Sequence, residues 1–510
     1  MKVVSSEVMA RIDLRSQAEF AMPSLLLMEN AGAKAWAVFS RFARGLTRPS
    51  GRRPAPRPGS GLVFVAGKGN NGGDALVMAR QAHVEGARGL TVILAAGRPE
   101  MDTDPGRNLA MCESLGIECL DWTAQARDSA ARLAAASWIF DGISGTGLRG
   151  TLRPPLSELV EGINACRART VAVDVPSGVG DAFRAGQPAV RAEMTLTMGL
   201  PKLCLYLPAA RAFCGRIIVV PVGFPPSLLD DPAIPGEILE ENAWRLLVPP
   251  IAPDTHKNRR GHLAVFAGSP GTTGAAWLAA SAAARARVGL VTLFADRDVY
   301  PILAQKSASV MVRPWEWPAS EEAFEEARFS GMLAGPGWGI SDDKERWLER
   351  LISSGKPGVL DADGIALLAR IAARRKLPLA GRWVLTPHPG EFALLAGVPR
   401  EEVLADPVAH ALAASAGFGA VVVLKGACTC IAAPSGKYWI LDGVNPALAT
   451  GGSGDVLAGL IGAGIAGGME PLDAALFGVS LHSRAGRAAR RRCGWFLAED
   501  LVPLVSRILR

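Results

Sequence analysis

The stretch LVFVAGKGNNGGD, residues 62–74, predicts how the first half of the chain folds. Residues 62–66 are all apolar, and a short apolar run that ends at glycines is typical of a buried strand. The glycine-rich segment 67–74 then precedes a helical pattern. A strand, a tight turn and a helix in succession predict a βα unit with its turn at the carboxyl end of the strand.

Similar apolar runs recur along the chain with helical patterns between them. They occupy residues 62–66, 91–95, 138–141, 170–175 and 216–220, and then 262–267, 290–295, 332–334, 358–361, 383–386 and 420–424. Such alternation predicts parallel sheets wrapped by helices.

The length of 510 residues exceeds what one hydrophobic core usually supports. A segment rich in proline and acidic residues separates the two series of strands, which places a domain boundary near 230–240. We therefore predict domains over 1–230 and 240–510. The halves do not align with each other, which indicates a fusion and not a duplication.

Composition excludes several classes of protein. Apolar residues make up 49% of the chain and charged residues 20%, which is typical of a globular protein. The net charge is +7, but the arginine clusters have no aromatic residues among them, so we expect no nucleic-acid partner. The longest apolar stretch, 456–469, is short of the roughly 20 residues that a membrane span requires, so no membrane partner is expected.

The cysteines and the N-terminus predict the compartment. The eight cysteines have no paired Cys-x-x-Cys spacing, and residues 1–20 do not have the pattern of a secretion signal. Both features favour a cytoplasmic protein with reduced thiols. Residues 47–61, almost entirely Pro, Arg, Gly and Ser, predict a mobile surface loop.

A glycine turn in the second half predicts a phosphate site. Residues Gly451, Gly452, Ser453 and Gly454 stand before the helical run 456–466. Free N–H groups and the positive end of the helix dipole favour an anion there. The same dipole would hold Asp455 ionised, so that it can take a proton from a hydroxyl as phosphoryl transfer begins. The alternative is a structural turn with an aspartate cap.

Other strand ends point to the same site, because ligands collect at the carboxyl ends of parallel strands. The segments 268–269, 335–337, 386–391 and 425–426 each follow an apolar run. His388 lies between two prolines and either lines the cleft, caps a helix or is buried in the core. Lys425 ends an apolar run, where a cation facing phosphate is expected, although a solvated charge is the alternative.

Three strand ends of the first half predict a second site. Residues 67–74 contain the segment 70–74, although its spacing is not Gly-x-Gly-x-x-Gly. Asp141 precedes the turn 145–150, and Asp174 precedes the turn 176–178. Tight turns that merely close βα units are the alternative, but three at once favour a ligand site.

The motifs of the second half, in this order, resemble the ribokinase-like dehydratase of the NAD(P)H-hydrate repair family over about residues 255–510. Its opening His-Lys is His256-Lys257, and its acid-alanine-acid element is 361–363. Residues 5–225, with the element 28–32, resemble the epimerase domain of the same family. The resemblance implies an N-terminal Rossmann-like αβα domain followed by a ribokinase-like αβα domain.

The activity implied by this resemblance is metabolite repair. The first domain would interconvert the R and S hydrates of NADH and NADPH, and the second would dehydrate the S form at the expense of ADP or ATP through a transient phosphoester. Asp455 would be the base for dehydration, and Asp174, with Lys202 beside it, the acid/base group for epimerisation. The resemblance also implies magnesium, small-molecule dinucleotide substrates and a homo-oligomer.

The resemblance further implies three sets of site residues. Substrate would contact Asn70, Asn71, Gly72, Gly73, Asp74, Gly145, Thr146, Gly147, Leu148, Arg149, Gly150, Thr151, Asp174, Ala275, Gly337, His388 and Asp455. The adenine nucleotide would contact Lys425, Gly426, Ala427, Cys428, Thr429 and Gly454. A potassium ion would be held by oxygens of Asn71, Asp141 and Ser177, hard ligands for a hard cation.

The chain departs from the family pattern at three positions. Ala75 replaces a glycine, Thr273 a tyrosine and Trp338 a leucine. Two rival functions remain at this point: a ribokinase-class small-molecule kinase fused to a Rossmann-like binding module, and a binding or scaffold module. A kinase would leave a stable phosphoester, and a scaffold would not need the complete set of Asn71, Asp141, Asp174 and Ser177.

Overall fold

The structure is a computed structural model that describes residues 1–45, 61–248, 250–306, 308–316, 318 and 324–510. Residues 47–60 of the predicted loop lie outside the described residues. The chain divides into two compact units, Met1–Ile234 and Pro235–Arg510. Each has a predominantly parallel sheet between helices, which confirms the α/β class predicted from the sequence.

Unit 1 contains a seven-stranded parallel sheet in the order β3-β2-β1-β4-β5-β6-β7. Its strands are β1 Leu62–Ala66, β2 Leu90–Leu94, β3 Glu118–Asp121, β4 Trp138–Gly142, β5 Arg169–Val173, β6 Met194–Met198 and β7 Arg216–Val220. Strand order reverses between β1 and β4, and such a switch point opens a crevice at the carboxyl ends of the strands. The predicted polar strand ends of unit 1 follow β1, β4 and β5.

Helices cover both faces of this sheet. They are α1 Ser6–Phe20, α2 Ser24–Gly45, α3 Asn70–Val84, α4 Asp104–Ser114, α5 Ala126–Ala135, α6 Leu156–Ala165, α7 Pro208–Arg211 and α8 Pro226–Leu229. Within β1, Phe64 packs in the core on one face, whereas Val63 and Val65 pack in the core on the other. Burial on both faces explains why the strand reads as a continuous apolar run.

Unit 2 contains a ten-stranded sheet in the order β11-β10-β9-β12-β13-β14-β15-β16-β17-β8. Its strands are β8 Gly236–Ile238, β9 His262–Phe266, β10 Leu290–Asp296, β11 Met311–Trp315, β12 Gly331–Ala334, β13 Gly358–Leu360, β14 Trp383–Leu385, β15 Val421–Leu424, β16 Cys428–Ala432 and β17 Tyr438–Asp442. Only β16 pairs antiparallel with its neighbours. The order reverses between β9 and β12, so this sheet also has a switch point.

The helices of unit 2 are α9 Trp244–Leu247, α10 Thr273–Arg285, α11 Tyr300–Ala304, α12 Asp342–Ser353, α13 Asp363–Ala372, α14 Pro389–Ala396, α15 Arg400–Ala405, α16 Pro407–Phe418, α17 Ser453–Ala466, α18 Pro471–Cys493 and α19 Ala498–Ile508. Within the described ranges, no helix has the length and apolar character needed to cross a membrane.

Helix α17 is the buried centre of one helical layer. Every residue from Val456 to Ala466 is buried, and a Cβ at Gly459 would lie 2.2 Å from the carbonyl oxygen of Ala279 in α10. Glycine therefore permits the backbones of α10 and α17 to approach closely. The apolar, glycine-rich run that follows the phosphate turn in the sequence is thus an internal helix, buried on every face over residues 456–466.

Candidate active sites

The predicted phosphate turn lies at the N-terminus of α17. Gly452 has φ +89°, which favours glycine, and a Cβ there would lie 2.4 Å from Leu278 Cδ1. The Ser453 hydroxyl donates to the carbonyl of Leu448 at 2.8 Å. These contacts fix the turn so that the first N–H groups of α17 form a cradle for an anion.

Lys425 places a cation at this cradle. A Cβ at Gly454 would lie 3.3 Å from Lys425 Nζ, which donates to Asp361 Oδ1 at 2.8 Å and lies 3.8 Å from Glu391 Oε2. Burial, the largest influence, lowers the pKa of Lys425, but the carboxylates of Asp361 and Glu391 together raise this pKa above its usual value. The ammonium group is therefore charged at neutral pH.

The two acids of the acid-alanine-acid element have different partners. Asp361, 1% exposed, accepts from the Thr386 hydroxyl at 2.8 Å as well as from Lys425. Asp363 accepts from the backbone N–H of Gly339 at 2.7 Å. Between them Ala362 has φ +47°, an unfavourable conformation for a residue with a side chain. The Asp361 carboxylate therefore lies beside Lys425 at the phosphate turn, and the Asp363 carboxylate lies at the loop after β12.

Asp455 lies half-buried in the first turn of α17. Burial, followed by the nearby charges of Asp361, Glu391 and Asp363, raises its pKa to about 7, against the opposing charge of Lys425. The sequence-based expectation that the helix dipole keeps this carboxyl ionised is therefore wrong, because burial and like charges outweigh the dipole. A pKa near neutrality suits a general base.

His388 combines two of the interpretations drawn from the sequence. It is the N-cap of α14: its Nδ1 accepts from the N–H groups of Gly390 at 3.0 Å and Glu391 at 3.1 Å. The Glu391 carboxylate accepts in return from the His388 N–H at 2.8 Å, which completes a capping box. Because Nδ1 accepts, the ring proton is on Nε2. The ring also lines the cleft described next.

A cavity of about 560 Å³ begins at the phosphate turn, and we call it the nucleotide cavity. Its lining includes Lys425, Gly426, Ala427, Thr429 and Gly454, five of the six residues for which nucleotide contacts were predicted. The Cys428 side chain instead lies 3.6 Å from a carboxylate oxygen of Asp442 and is absent from the lining.

Sequence reasoning missed one wall of the nucleotide cavity. This wall is formed by one residue of β17, by residues that follow β17 and by one face of α18, and its members are Leu441, Gly443, Val444, Asn445, Pro446, Leu448, Ala449, Val479, His482 and Ser483. None of these belongs to a glycine or acid motif, so only the folded structure assembles them.

The remaining residues predicted for the second half lie beside the nucleotide cavity and not in its lining. The Gly337 carbonyl accepts from the Thr272 hydroxyl at 2.7 Å, which joins the loop after β12 to the start of α10. A Cβ placed at Gly452 would lie 3.9 Å from Asp455 Oδ2 and 2.4 Å from Leu278 of α10. Ala275 precedes Leu278 by one turn of α10. Asp455 therefore adjoins both the phosphate turn and α10.

Of the three departures from the family pattern, Trp338 lies in the core. Its side chain is fully buried, with its ring centroid 5.9 Å from that of Phe266. Thr273 is the first residue of α10 and Ala75 is buried within α3. Neither Trp338 nor Thr273 lines the nucleotide cavity.

Unit 1 has a cavity of about 190 Å³ at the predicted strand ends, which we call the acidic cavity. Asn70, Asp74, Thr146, Asp174 and Lys202 line it, all of them named from the sequence. The lining also contains Asp13 from α1, together with Ser24 and Asp104, which sequence reasoning missed.

Asp174 and Lys202 form a buried ion pair. Lys202 is 0% exposed, and its Nζ donates to Asp174 Oδ1 and to the Met198 carbonyl, the latter at 2.7 Å. Asp174 Oδ1 also accepts from the Met198 N–H at 3.0 Å. With φ +65°, Asp174 has a backbone conformation that L side chains rarely adopt, and such strain is concentrated at functional sites.

Asp74 is a second carboxyl in the acidic cavity. Burial, followed by the charge of Asp174, raises the pKa of Asp74 well above its usual value, and Lys202 only partly opposes this. Burial also raises the pKa of Asp13, which accepts from the Gln17 amide at 3.2 Å. A carboxyl with a raised pKa thus lies in the same cavity as an ion-paired one, and two carboxyls in different environments can take different acid/base roles.

Two of the three predicted potassium ligands, Asp141 and Ser177, are hydrogen-bonded to each other, and the third, Asn71, lies against the turn after β4. Asp141, fully buried, accepts from the Ser177 N–H at 2.8 Å and from the Ser177 hydroxyl at 2.5 Å. Burial raises the pKa of Asp141 to about 6, although the hydrogen bonds from Ser177 lower it. Both amide atoms of Asn71 are buried without a partner, and a Cβ at Gly145 would lie 3.1 Å from Asn71 Cβ.

Several residues named from the sequence have a packing role instead. A Cβ at Gly72 would lie 2.0 Å from the Gly67 carbonyl oxygen, and one at Gly73 would lie 2.4 Å from the sulfur of Met28. These glycines let α3 pack closely, and residues 147–151 are outside the lining of the acidic cavity. Across the described ranges, no three His, Cys, Asp or Glu side chains are grouped so as to hold a metal.

Two family models match the chain. The model described as NAD(P)H-hydrate dehydratase matches residues 263–507, and the model described as YjeF-related protein N-terminus matches residues 24–204.

Full-length relatives match as well. A bifunctional NAD(P)H-hydrate repair enzyme of Moorella thermoacetica is 35% identical, over 100% of this chain and 97% of its own length. That of Escherichia coli is 32% identical, over 88% of this chain and 84% of its own. Among solved structures, the ADP/ATP-dependent NAD(P)H-hydrate dehydratase of Bacillus subtilis is 28% identical over 54% of this chain and 97% of its own, with a TM-score of 0.49.

Proposed function

Because the chain belongs to the family of bifunctional NAD(P)H-hydrate repair enzymes, we propose that domain 1–230 epimerises the hydrates of NADH and NADPH and that domain 240–510 dehydrates the S form with ADP or ATP. The observation that carries the proposal is that each unit contains its own cavity, with a carboxyl proposed as its acid/base group in or beside it. Asp174 lies in the acidic cavity of unit 1, and Asp455 lies at the phosphate turn of unit 2.

In unit 2 the nucleotide phosphates bind at Gly454 and Lys425, where free N–H groups and a cation meet. Asp455 removes the proton from the hydroxyl at C6 of the hydrated nicotinamide. That oxygen forms a bond to the terminal phosphorus, while the bond from phosphorus to the rest of the nucleotide breaks. Phosphate then leaves C6 with its bonding electrons, the adjacent carbon loses a proton, and NAD(P)H results.

The acidic side chains near Lys425 suit a magnesium ion that enters with the nucleotide. Magnesium is usually held by one or two carboxylates together with phosphate oxygens. Glu391 and Asp361 are the carboxylates beside Lys425 and would hold it. Such an ion neutralises charge on the transferring phosphoryl group.

In unit 1 the configuration at C6 is exchanged. That carbon bears a ring nitrogen and a hydroxyl, so a bond to it must break and re-form while a proton is removed from one heteroatom and supplied to the other. Asp174, which forms an ion pair with Lys202, accepts the proton, and Asp74, whose pKa burial raises, donates one. The remaining predicted contacts, from Asn70 to Thr151, are proposed to hold the dinucleotide.

A potassium ion fits the environment of Asn71. The buried, unpartnered amide of Asn71 supplies an oxygen that nothing in the described residues satisfies, and Ser177 and Asp141 add hydroxyl and carboxylate oxygens. Such an ion would tie the turn after β4 to the start of α3, which positions Asp74.

The proposed function is tested by incubating the protein with the mixed hydrate epimers and ADP or ATP. We expect complete recovery of the absorbance of reduced nicotinamide together with release of one phosphate for each molecule restored. A stable phosphoester of the substrate would identify a kinase instead. Recovery of only one epimer would mean that the first domain lacks epimerase activity.

The pKa of Asp455 predicts how dehydration depends on pH. A base with a pKa of about 7 is protonated below that pH, so kcat/KM for dehydration should fall about tenfold per unit below pH 7. Asp363→Asn removes a negative charge that raises this pKa while keeping an oxygen able to accept from the Gly339 N–H, so the profile should move to lower pH. The exposed Glu401→Gln serves as control. An unmoved profile in Asp363→Asn would contradict the electrostatic argument.

Potassium binding predicts a change in the stability of unit 1. A ligand at 100 times its Kd stabilises the folded state by about 2.7 kcal/mol. Potassium chloride should therefore raise the melting temperature of unit 1 more than choline chloride at equal ionic strength, and Asn71→Ala should remove the difference. The exposed Asn242→Ala should retain it. Equal melting in both salts for the unaltered chain would overturn the potassium site.

A further inference from the structure

Strand β6 contains two buried threonines with different partners. Thr195 and Thr197 are both 0% exposed, and they share one face of Met194–Met198 because side chains alternate along a strand. The Thr195 hydroxyl donates to the backbone carbonyl of Cys214 at 2.7 Å. The Thr197 hydroxyl donates instead to Asp174 Oδ1 at 3.3 Å. The two threonines are therefore alike in burial and differ in the group that they contact.

Lys202 determines the direction of the Thr197 hydroxyl. Its Nζ donates to Thr197 Oγ1 at 3.3 Å, to Asp174 Oδ1 and to the Met198 carbonyl at 2.7 Å. An ammonium group has three donors and no acceptor, so these contacts use every N–H of Lys202. Because the Thr197 oxygen accepts from Lys202, its own proton is directed to Asp174. Lys202 has no N–H left for a substrate.

The hydrogen bonds of Asp174 converge on one carboxylate oxygen. Oδ1 accepts from the Thr197 hydroxyl, from Lys202 and from the Met198 N–H at 3.0 Å. The Asp174 N–H donates to the Leu196 carbonyl at 2.8 Å, so β6 holds both the backbone and the side chain of Asp174. Oδ2 accepts no hydrogen bond from the residues that the structure describes, and Asp174 lines the acidic cavity. Oδ2 is therefore the oxygen available to a substrate.

We propose that Thr197 is a positioning residue for epimer exchange: its hydroxyl, oriented by Lys202, holds Asp174 Oδ1 so that Oδ2 accepts the proton of the substrate. This inference rests on the proposed function, in which Asp174 is the base of unit 1. The backbone of Asp174, with φ +65°, persists only where the surrounding structure holds it. Without the Thr197 hydroxyl the carboxylate keeps its charge and its other donors, but its orientation is less fixed. A displaced base slows the chemical step without weakening substrate binding.

Epimer exchange is measured by chromatography on the full chain, starting from the R hydrate, with potassium and without nucleotide. Unit 2 then cannot consume the S hydrate that forms. Thr197→Val keeps the shape of the side chain and removes the hydroxyl, so kcat should fall about tenfold while KM changes by less than about twofold. Thr197→Ser keeps the hydroxyl, and its kcat should stay within about threefold of the unaltered chain.

Thr195→Val is the matched control, since it removes an equally buried hydroxyl from the same face of the same strand. It should lower the melting temperature of unit 1 about as much as Thr197→Val does and leave kcat unchanged. An undiminished kcat in Thr197→Val, or equal losses of kcat in both valine variants, would overturn the proposal. So would a loss confined to KM, or a loss in Thr197→Ser as large as that in Thr197→Val.

A double variant tests whether Thr197 acts through Asp174. In the Asp174→Asn background, Thr197→Val should slow epimer exchange no further, because residues that act as a unit are not additive. Independent, additive losses would overturn the proposal. If Thr197→Val does not fold, Thr197→Ala, which also lacks the hydroxyl, takes its place with the same expected result.

The outcome is separable from that of the proposed function. An unaltered chain without epimer exchange would overturn the proposed function and this inference with it. Exchange that survives Thr197→Val at the normal rate but is lost in Asp174→Asn would overturn only the role of Thr197.

Discussion

Replacement of Asp455 by asparagine is expected to lower nucleotide-dependent recovery of NAD(P)H by about 10²–10⁴-fold, the range typical of a lost general base, while epimer exchange continues unchanged. Asparagine has nearly the same shape but cannot take the proton of the C6 hydroxyl. The effect should be confined to dehydration because Asp174, the acid/base group that we propose for epimer exchange, belongs to the acidic cavity of unit 1. Separate assays of phosphate release and of epimer exchange measure the two effects.

The Asp455→Asn variant should lose activity without losing stability. The folded-state pKa of Asp455, about 7, lies above the ordinary value of 3.8, so the ionised carboxyl is less favourable in the folded chain than in the unfolded chain. Stability supplied by the protonated form is therefore present at low pH and is lost as the pH rises through about 7. Asparagine cannot ionise, so at neutral pH the melting temperature of unit 2 should be unchanged or higher.

Asp473→Asn is the control for this variant, since Asp473 lies in the first turn of α18 and is exposed. It should dehydrate at the normal rate. Near-normal dehydration by Asp455→Asn would show that another group removes the proton.

The second large effect is expected for Asp174→Asn, which should lower the rate of epimer exchange by about 10²–10⁴-fold and leave dehydration of the S hydrate intact. The variant also leaves Lys202 buried without its counter-charge. Breaking a buried pair in this way typically costs about 3–5 kcal/mol, so unit 1 should melt at a lower temperature. Epimer exchange and melting are measured on the same preparation.

A double variant separates chemistry from folding. Asp174→Asn combined with Lys202→Met removes the unpaired charge, so the melting temperature should recover while epimer exchange does not. The exposed Asp128→Asn on α5 is the control and should behave as the unaltered chain. Recovery of epimer exchange in the double variant would mean that Asp174 has only a structural role.

Long apolar runs made much of the fold predictable from the sequence. Strand β1 has the predicted bounds because each of its residues is buried, so no polar residue interrupts the pattern. Strand β11 was missed because it is mostly exposed and contains a proline. The hairpin of β16 and β17 was missed because it mixes cysteine, threonine and tyrosine with apolar residues, and its antiparallel pairing breaks the alternation of strands and helices.

The sites were predictable where residues follow strands, and unpredictable where distant helices contribute. Asp174 and Lys425 directly follow strand ends, Asp74 lies near the start of the helix that follows β1, and the topology brings them into the cavities. Asp13 and His482 lie within helices, outside any motif, so only tertiary packing places them in the cavity linings. The pKa of Asp455 could not be foreseen either, because it depends on three carboxylates that the fold brings together from two other segments of the chain.

The turn at Gly452 has a consequence for redesign of this protein. A Cβ at Gly452 would lie 2.4 Å from Leu278 and 3.0 Å from Ala498. The turn therefore has no room for a side chain at this position. The wall with Asn445 and His482 is made of side chains on a loop and a helix face. Laboratory selection for a different nucleotide should therefore accumulate changes along that wall, while the phosphate end stays invariant.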